Sequence, residues 1–428
     1  MDNDNSSVIN NMPSPTASTD GHSRSNKKRI IVVIAALILL VIVVAIICII
    51  LINNGKKAEN TEIIPSEDAS GTAEVAAENT PLSGGSVTMT VGDKAITYNA
   101  AYLVDGIEAT ISSGTFESTS DTQNVFVVAN GGKLTIKGAD VNIKKTGTFE
   151  GGRGDDYSFY GTNAAIVVVG NGSSVTIDGA TINTEAGGAN AIVATASGVA
   201  KVENATIKTS ANGSRGLHAT FKGEIIADKV TIATEGESSA TLATDMGEGT
   251  VKANHMTLST SGAGSPLVYS TGDIDVSNSE GTATGAQIAV IEGSNSATFY
   301  LCDFKTNALG NRNGADNAGI MIYQSMSGDA AEGRGEFSAD GSTLTIESSS
   351  AVYNSAPMFL VTNTTARIDL HDTTLNYSGS SYFISAHGTN EWGKSGKNGG
   401  IVEYSVSGST KAGSTYVGQF DGSSIKAV

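Results

Sequence analysis

The chain has 428 residues, 39% of them hydrophobic, with 51 glycines, two cysteines and a net charge of -17. The acidity is uneven: up to Lys57 six basic residues outnumber three acidic ones, whereas beyond it 40 acidic residues face 20 basic ones. So acidic a body repels nucleic acid and anionic surfaces, which excludes nucleic-acid binding, and two cysteines as far apart as Cys48 and Cys302 exclude a disulfide-stapled fold.

Residues 1–29 are polar, rich in Ser and Asn and punctuated by Pro13 and Pro15, the composition of a disordered tail. Ile30–Ile52 follows, 23 residues with Cys48 as the sole interruption of the apolar run. At about 1.5 Å per residue it reaches roughly 34 Å as a helix, enough to span a bilayer. A cleavable signal peptide has a shorter apolar core and small residues at its exit. This run stays rich in Ile and Val and leaves through Asn53-Asn54-Gly55-Lys56-Lys57, so it predicts an uncleaved anchor, with cleavage near Asn53 as the alternative. Ile47 before Cys48 lacks the small side chain that a lipidation signal needs. Arg24, Lys27, Lys28 and Arg29 precede the span, which keeps residues 1–29 in the cytoplasm and exports the remainder to the cell surface. Residues 53–85 carry Glu59, Glu62, Glu67, Asp68, Glu74 and Glu78 and form an extended acidic stalk.

From residue 86 to 428 the texture changes to short runs of Val, Ile, Leu, Thr and Ala divided by Gly, Asn and Ser. Such runs predict strands and turns throughout, without helices. Val175-Thr176-Ile177-Asp178-Gly179-Ala180-Thr181-Ile182 recurs as Ala200-Lys201-Val202-Glu203-Asn204-Ala205-Thr206-Ile207, and again near Ile232 and Leu258. Anchored on the apolar residue after the Thr, the repeat gives Phe116, Val141, Ile182, Ile207, Ile232, Leu258, Gly281, Phe304, Leu344 and Leu375, with six of nine intervals between 23 and 26. Another apolar strand follows about ten residues later, as at Ile192, Leu217, Leu242 and Leu267. A coil this small cannot bury its own apolar side chains, whereas stacked coils share one column of Ile, Val, Leu and Ala. Ten anchors at about 4.8 Å per strand predict a rod roughly 45 Å long.

These repeats resemble the right-handed parallel β-helix proteins of the pectin-lyase-like type. Ser355-Ala356-Pro357-Met358-Phe359-Leu360-Val361-Thr362-Asn363, with Trp392-Gly393-Lys394-Ser395-Gly396-Lys397-Asn398-Gly399-Gly400, is similar to adhesin-like bacterial surface β-helix proteins. The resemblance implies an all-β solenoid of about ten coils, and it leaves activity open because this fold hosts lyases, hydrolases, adhesins and spacers.

Function is sought where the period breaks, because extra residues leave the coil on its outside. Three breaks stand out: Thr146–Thr162, Asn307–Gly319 with its continuation Ser325–Gly335, and His387–Gly400. They supply candidate binding residues Arg153, Asp155, Asp156, Tyr157, Tyr160, Arg312 and Trp392, aromatics to stack on sugar faces and charges to take hydroxyls. Arg153-Gly154-Asp155 also matches an integrin-contacting tripeptide, a three-residue signal against the plainer reading of a Gly-rich loop. The acidic series Asp178, Glu203, Asp228 and Asn254 reads as a solvated face, and the histidines, His218 and His255 among them, lack metal spacing. Arg215 and His218 meet Arg312 and His255 only if the corners of different coils align. Thr181, Thr206, Thr231 and Thr257 stack, but Lys208 breaks the flat grid that ice binding needs.

The expectation is a surface-displayed adhesin-like module for glycans or a neighbouring or host cell surface, without catalytic residues, metal or cofactor. A polysaccharide lyase or hydrolase and an inert spacer are the alternatives. The last coil, after Val406, needs a cap or pairing with another chain.

Overall fold

A computed structural model of the chain describes residues 79–147, 155–325, 330–388, 399–418 and 422–428. The chain separates into two units, Met1–Glu74 and Val75–Val428, and the described residues all lie in the second. The expected tail, the Ile30–Ile52 anchor and most of the stalk lie outside them. Among the described residues no helix is long and apolar enough to cross a membrane.

The coils stack as the repeat demands. One coil runs through Ile192–Thr195, Val199–Glu203 and Thr206–Thr209, and the next through Leu217–Thr220, Glu224–Asp228 and Thr231–Thr234. Each strand pairs in parallel with its equivalent one coil away. The chain therefore forms a parallel β-helix with three ladders. Ile182, Ile207, Ile232, Leu258, Gly281, Phe304, Leu344 and Leu375 lie in one register in the third ladder, which among the described residues holds ten stacked strands or strand halves. The expected anchor Val141 is corrected to Ile143, the residue that pairs with Phe116 on one side and Ile182 on the other. A register shift between Lys137 and Val141 absorbs the two-residue difference.

Alternate side chains of the second and third ladders point inward, in the buried–exposed pattern of a half-buried strand. They form one continuous core, dominated by Ile, Val and Ala in the early coils. Later coils depart from the expected aliphatic column: Phe299 contacts both Phe304 and Phe337, and the stack continues through Phe359 to Phe383, with ring centroids 4.9–5.7 Å apart. Gly281 stands in the same register as Phe304, one coil away, so a large side chain is set beside the smallest.

In the coils of Ile192–Thr195, Leu217–Thr220 and Leu242–Asp245, the first ladder is buried on both faces. Its inward residues, such as Leu217 and Ala219, join the core, while Val193, His218, Ala243, Tyr269, Val290, Met321, Leu360, Ser385 and Tyr416 form a single outward row by strand register. Two structures cover the early part of that row. One is an antiparallel hairpin, Gly85–Val91 with Lys94–Asp105, whose Val91 and Tyr98 pack with Val127, Val167 and Val193. The other is a six-residue helix, α1, Asp155–Tyr160, in the first insertion. That helix corrects the all-strand expectation. At the other end, Thr415–Val417 and Ser424–Ala427 are the last strands, and among the described residues no segment folds over them.

Candidate functional site

Beyond α1 the outward row opens into a cavity of about 290 Å³. Tyr269, Val290, Met321 and Tyr323 come from three successive strands, Arg215 and Ser158 close one side, and Asn311, Arg312 and Asp316 of the second insertion close another.

Behind Arg215 lies a buried ionic network. The Arg215 Nη2 sits 3.0 Å from Asp245 Oδ2, and His218 Nε2 lies 2.8 Å from the same oxygen. The Asp245 and His218 side chains are 1% and 0% exposed, against 12% for Arg215. Asn190 fixes the proton arrangement. Its Oδ1 accepts from the Arg215 backbone N–H at 2.8 Å and its Nδ2 donates to the Ser158 carbonyl at 2.9 Å, so the amide also presents N–H to His218 Nδ1 at 3.0 Å. His218 Nδ1 is then the acceptor, and Nε2–H donates to Asp245: a neutral imidazole. Burial, followed by the adjacent Arg215 charge, pushes the His218 pKa down, in agreement with that tautomer. A second Arg215 nitrogen donates to Ser158 Oγ, and the guanidinium lies 5.7 Å from the Phe159 ring centroid. The network thus holds one guanidinium at the cavity wall, and His218 acts through Asp245 without reaching the cavity itself.

A second cluster holds the floor. Glu292 Oε2 accepts from Tyr269 Oη at 2.8 Å and from Tyr323 Oη at 2.9 Å, and Glu292 Oε1 accepts from the Ser325 N–H at 3.2 Å. Burial pushes the Tyr269 phenol well above its ordinary range, reinforced by Tyr323, Glu292 and Asp245. Tyr269 therefore keeps its proton and presents an oriented aromatic ring rather than a phenolate base. Asp316 is committed to structure: its carboxylate accepts from the backbone N–H groups of Asn311 and Arg312 at 2.7 and 2.9 Å and shapes the loop carrying Arg312.

Of the candidate residues, Arg312 lines the cavity. Tyr160 is 3% exposed and stacks on Phe221 at 5.1 Å, so it packs as a lid over the coil. Tyr157 is half-buried in the same helix. Arg153 and Trp392 lie outside the described residues, as do the side chains of Asp155 and Asp156. The first insertion reaches the cavity through Ser158 instead. Arg215 and Arg312 line the same cavity from different coils, and they are two of the four arginines among the described residues. His255 is elsewhere, 2.9 Å from Asp228 Oδ1 on the second ladder. The acidic series there is a hydrogen-bonded edge, with Asn204 donating to Asp178 and Asn254 to Asp228, both at 2.7 Å. Among the described residues no three His, Cys, Asp or Glu side chains gather as a metal centre.

Sequence reasoning missed Asp245, Tyr269, Glu292 and Tyr323. The available signal was Leu242-Ala243-Thr244-Asp245, Ala289-Val290-Ile291-Glu292 and Ile320-Met321-Ile322-Tyr323, strands without alternation. Two-sided burial removes the alternation, and a charge at the end of such a run is then a buried charge.

No protein-family model and no curated protein matches this chain. Among solved structures it shows a likeness to a PL6 alginate lyase in complex with a trisaccharide, at TM-score 0.35 and 11% identity, covering 73% of this chain and 81% of that one. At that score the likeness carries no argument, and the strand register alone defines the fold.

Proposed function

We propose that this protein is a membrane-anchored, surface-displayed β-helix that binds a glycan in the cavity between Arg215 and Tyr323. The observation carrying this reading is the Arg215–Asp245–His218 network on the outside of the solenoid. Desolvating an ion pair is costly, and the rod's own core makes no use of this one, so its presence beside a cavity supports the reading of a ligand site. Tyrosine rings, a fixed guanidinium, Gln287 and the Glu237 carboxylate are groups suited to apolar sugar faces and hydroxyls. The Ile30–Ile52 run and the acidic stalk support display at a cell surface.

The full-length protein, screened on a glycan array, should bind a defined glycan class, and Arg215→Ala and Tyr269→Ala should each weaken binding about ten-fold or more. Protease added outside intact cells should remove the binding domain. Failure of every glycan to bind, or binding untouched by both substitutions, overturns the reading.

A second reading is favoured by one feature: Arg215, Glu237, Tyr269 and Tyr323 line one cavity, as a polysaccharide-cleaving site requires, with Asp245 and Glu292 bonded to them from behind. It predicts new reducing ends from the bound glycan, abolished by Glu237→Gln at the carboxylate that lines the cavity. A glycan recovered intact after prolonged incubation leaves the protein a binder.

A further inference from the structure

The outward row does not end at the first cavity. Four strands after Val290 it reaches Tyr416 by continuous register, through Met321, Leu360 and Ser385. There a second concavity opens, about 490 Å³, with Tyr382 and Tyr416 on its floor. The two rings stack at 5.2 Å and 28°, with the His387 ring 6.4 Å from Tyr416. Both tyrosines remain about two-fifths exposed, 39% and 41%. An exposed, mutually braced aromatic pair is a rigid platform that loses little side-chain freedom on contact with a ligand.

The two concavities share a wall. The second insertion gives Asn311, Arg312 and Asp316 to the first and Gly314, Ala315 and Asn317 to the second. The strand of Tyr323 and that of Ser385 are two coils apart, about 10 Å at the spacing of paired strands. One chain molecule lying along the rod axis could therefore fill both, crossing the loop tip.

We infer that Tyr382 and Tyr416 form a second sugar subsite and that the ligand is a linear oligosaccharide or polysaccharide running parallel to the rod, not a single sugar or a short terminal unit. The inference rests on the glycan reading of the first cavity and names the ligand's size and direction. Its occupant is fixed by continuity: the same face, the same register row and a common loop join the aromatic floor of one concavity to that of the other.

The test uses the full-length protein and a length series of oligosaccharides from whichever polymer binds. Long members should bind about ten-fold more tightly than members that fill one cavity. Tyr382→Ala/Tyr416→Ala should erase that advantage and leave short-member affinity unchanged. Ala315→Trp, a half-buried wall position, should fill the second concavity and have the same length-selective effect with the tyrosine pair intact, which separates ligand contact from damage to the final coils. Equal affinity for short and long members in the unaltered protein overturns the second subsite and leaves the first cavity standing, as does equal weakening of both lengths by Ala315→Trp. Absence of binding at every length overturns the glycan reading, and the second subsite with it.

Discussion

Lys145 is the most telling buried charge away from the site. Its residue is 0% exposed, and Nζ donates to the Ser120 and Thr146 carbonyls at 2.9 Å each. Burial lowers its pKa to about 8, with Asp121 opposing the shift. Between about pH 8 and the ordinary lysine range near 10.5 the unfolded chain holds a proton that the native chain has released, so stability rises with pH across that window. The contribution is complete above the ordinary lysine range and is lost as pH falls through 8. Urea midpoints measured from pH 7.5 to 10.5 should rise more steeply for the natural protein than for Lys145→Met, and parallel curves would contradict this account. His218 carries the same sign at lower pH: its depressed pKa favours the native state above the ordinary imidazole range near 6.5 and loses that effect on acidification. Neither residue was legible as buried from sequence, because Lys144-Lys145 and Leu217-His218 take their surroundings from insertions and neighbouring coils.

At the scale of the strand and turn, the repeat was legible where one face meets water and illegible where both are covered. Ile207, Ile232 and Leu258 alternate with exposed Thr, Lys and Ser, so their period and phase followed from sequence. The first ladder gave its strands but not its outward row, since Leu217-His218-Ala219-Thr220 is buried at all four positions. Corners have their own rule. A Cβ on Gly262 would lie 1.7 Å from the Gly236 carbonyl oxygen, and one on Gly223 would lie 2.0 Å from that of Ala194. These turns stack backbone on backbone, and an added methyl group must separate the coils. Gly262→Ala should lower the unfolding free energy by about 1–3 kcal/mol or more, whereas Gly379→Ala, with open space around it, should be near neutral. Equal urea midpoints for the two variants would refute close stacking at this corner.

For the whole molecule, the period breaks proved to be the informative places, for a geometric reason. A solenoid offers its side faces to ligands, and each insertion must return to the next coil near where it left. All three insertions touch the outer side of the first ladder: Ser158 from the first, Asn311–Asp316 from the second, and His387 and Gly388 at the start of the third. The breaks could be located from sequence. Their convergence depended on which ladder each one interrupts, and on a six-residue helix too short to leave a periodic signature.

Ligand binding on the outer face of the first ladder is tested most directly by hydrogen exchange on the full-length protein with and without its glycan. Ligand should slow exchange at Leu267–Tyr269, Ala289–Glu292, Asn311–Asp316 and Gly319–Tyr323, and should leave the Thr206, Thr231 and Thr257 face of the third ladder unchanged. Saturating ligand that protects the third ladder instead, or protects neither face, would contradict the account.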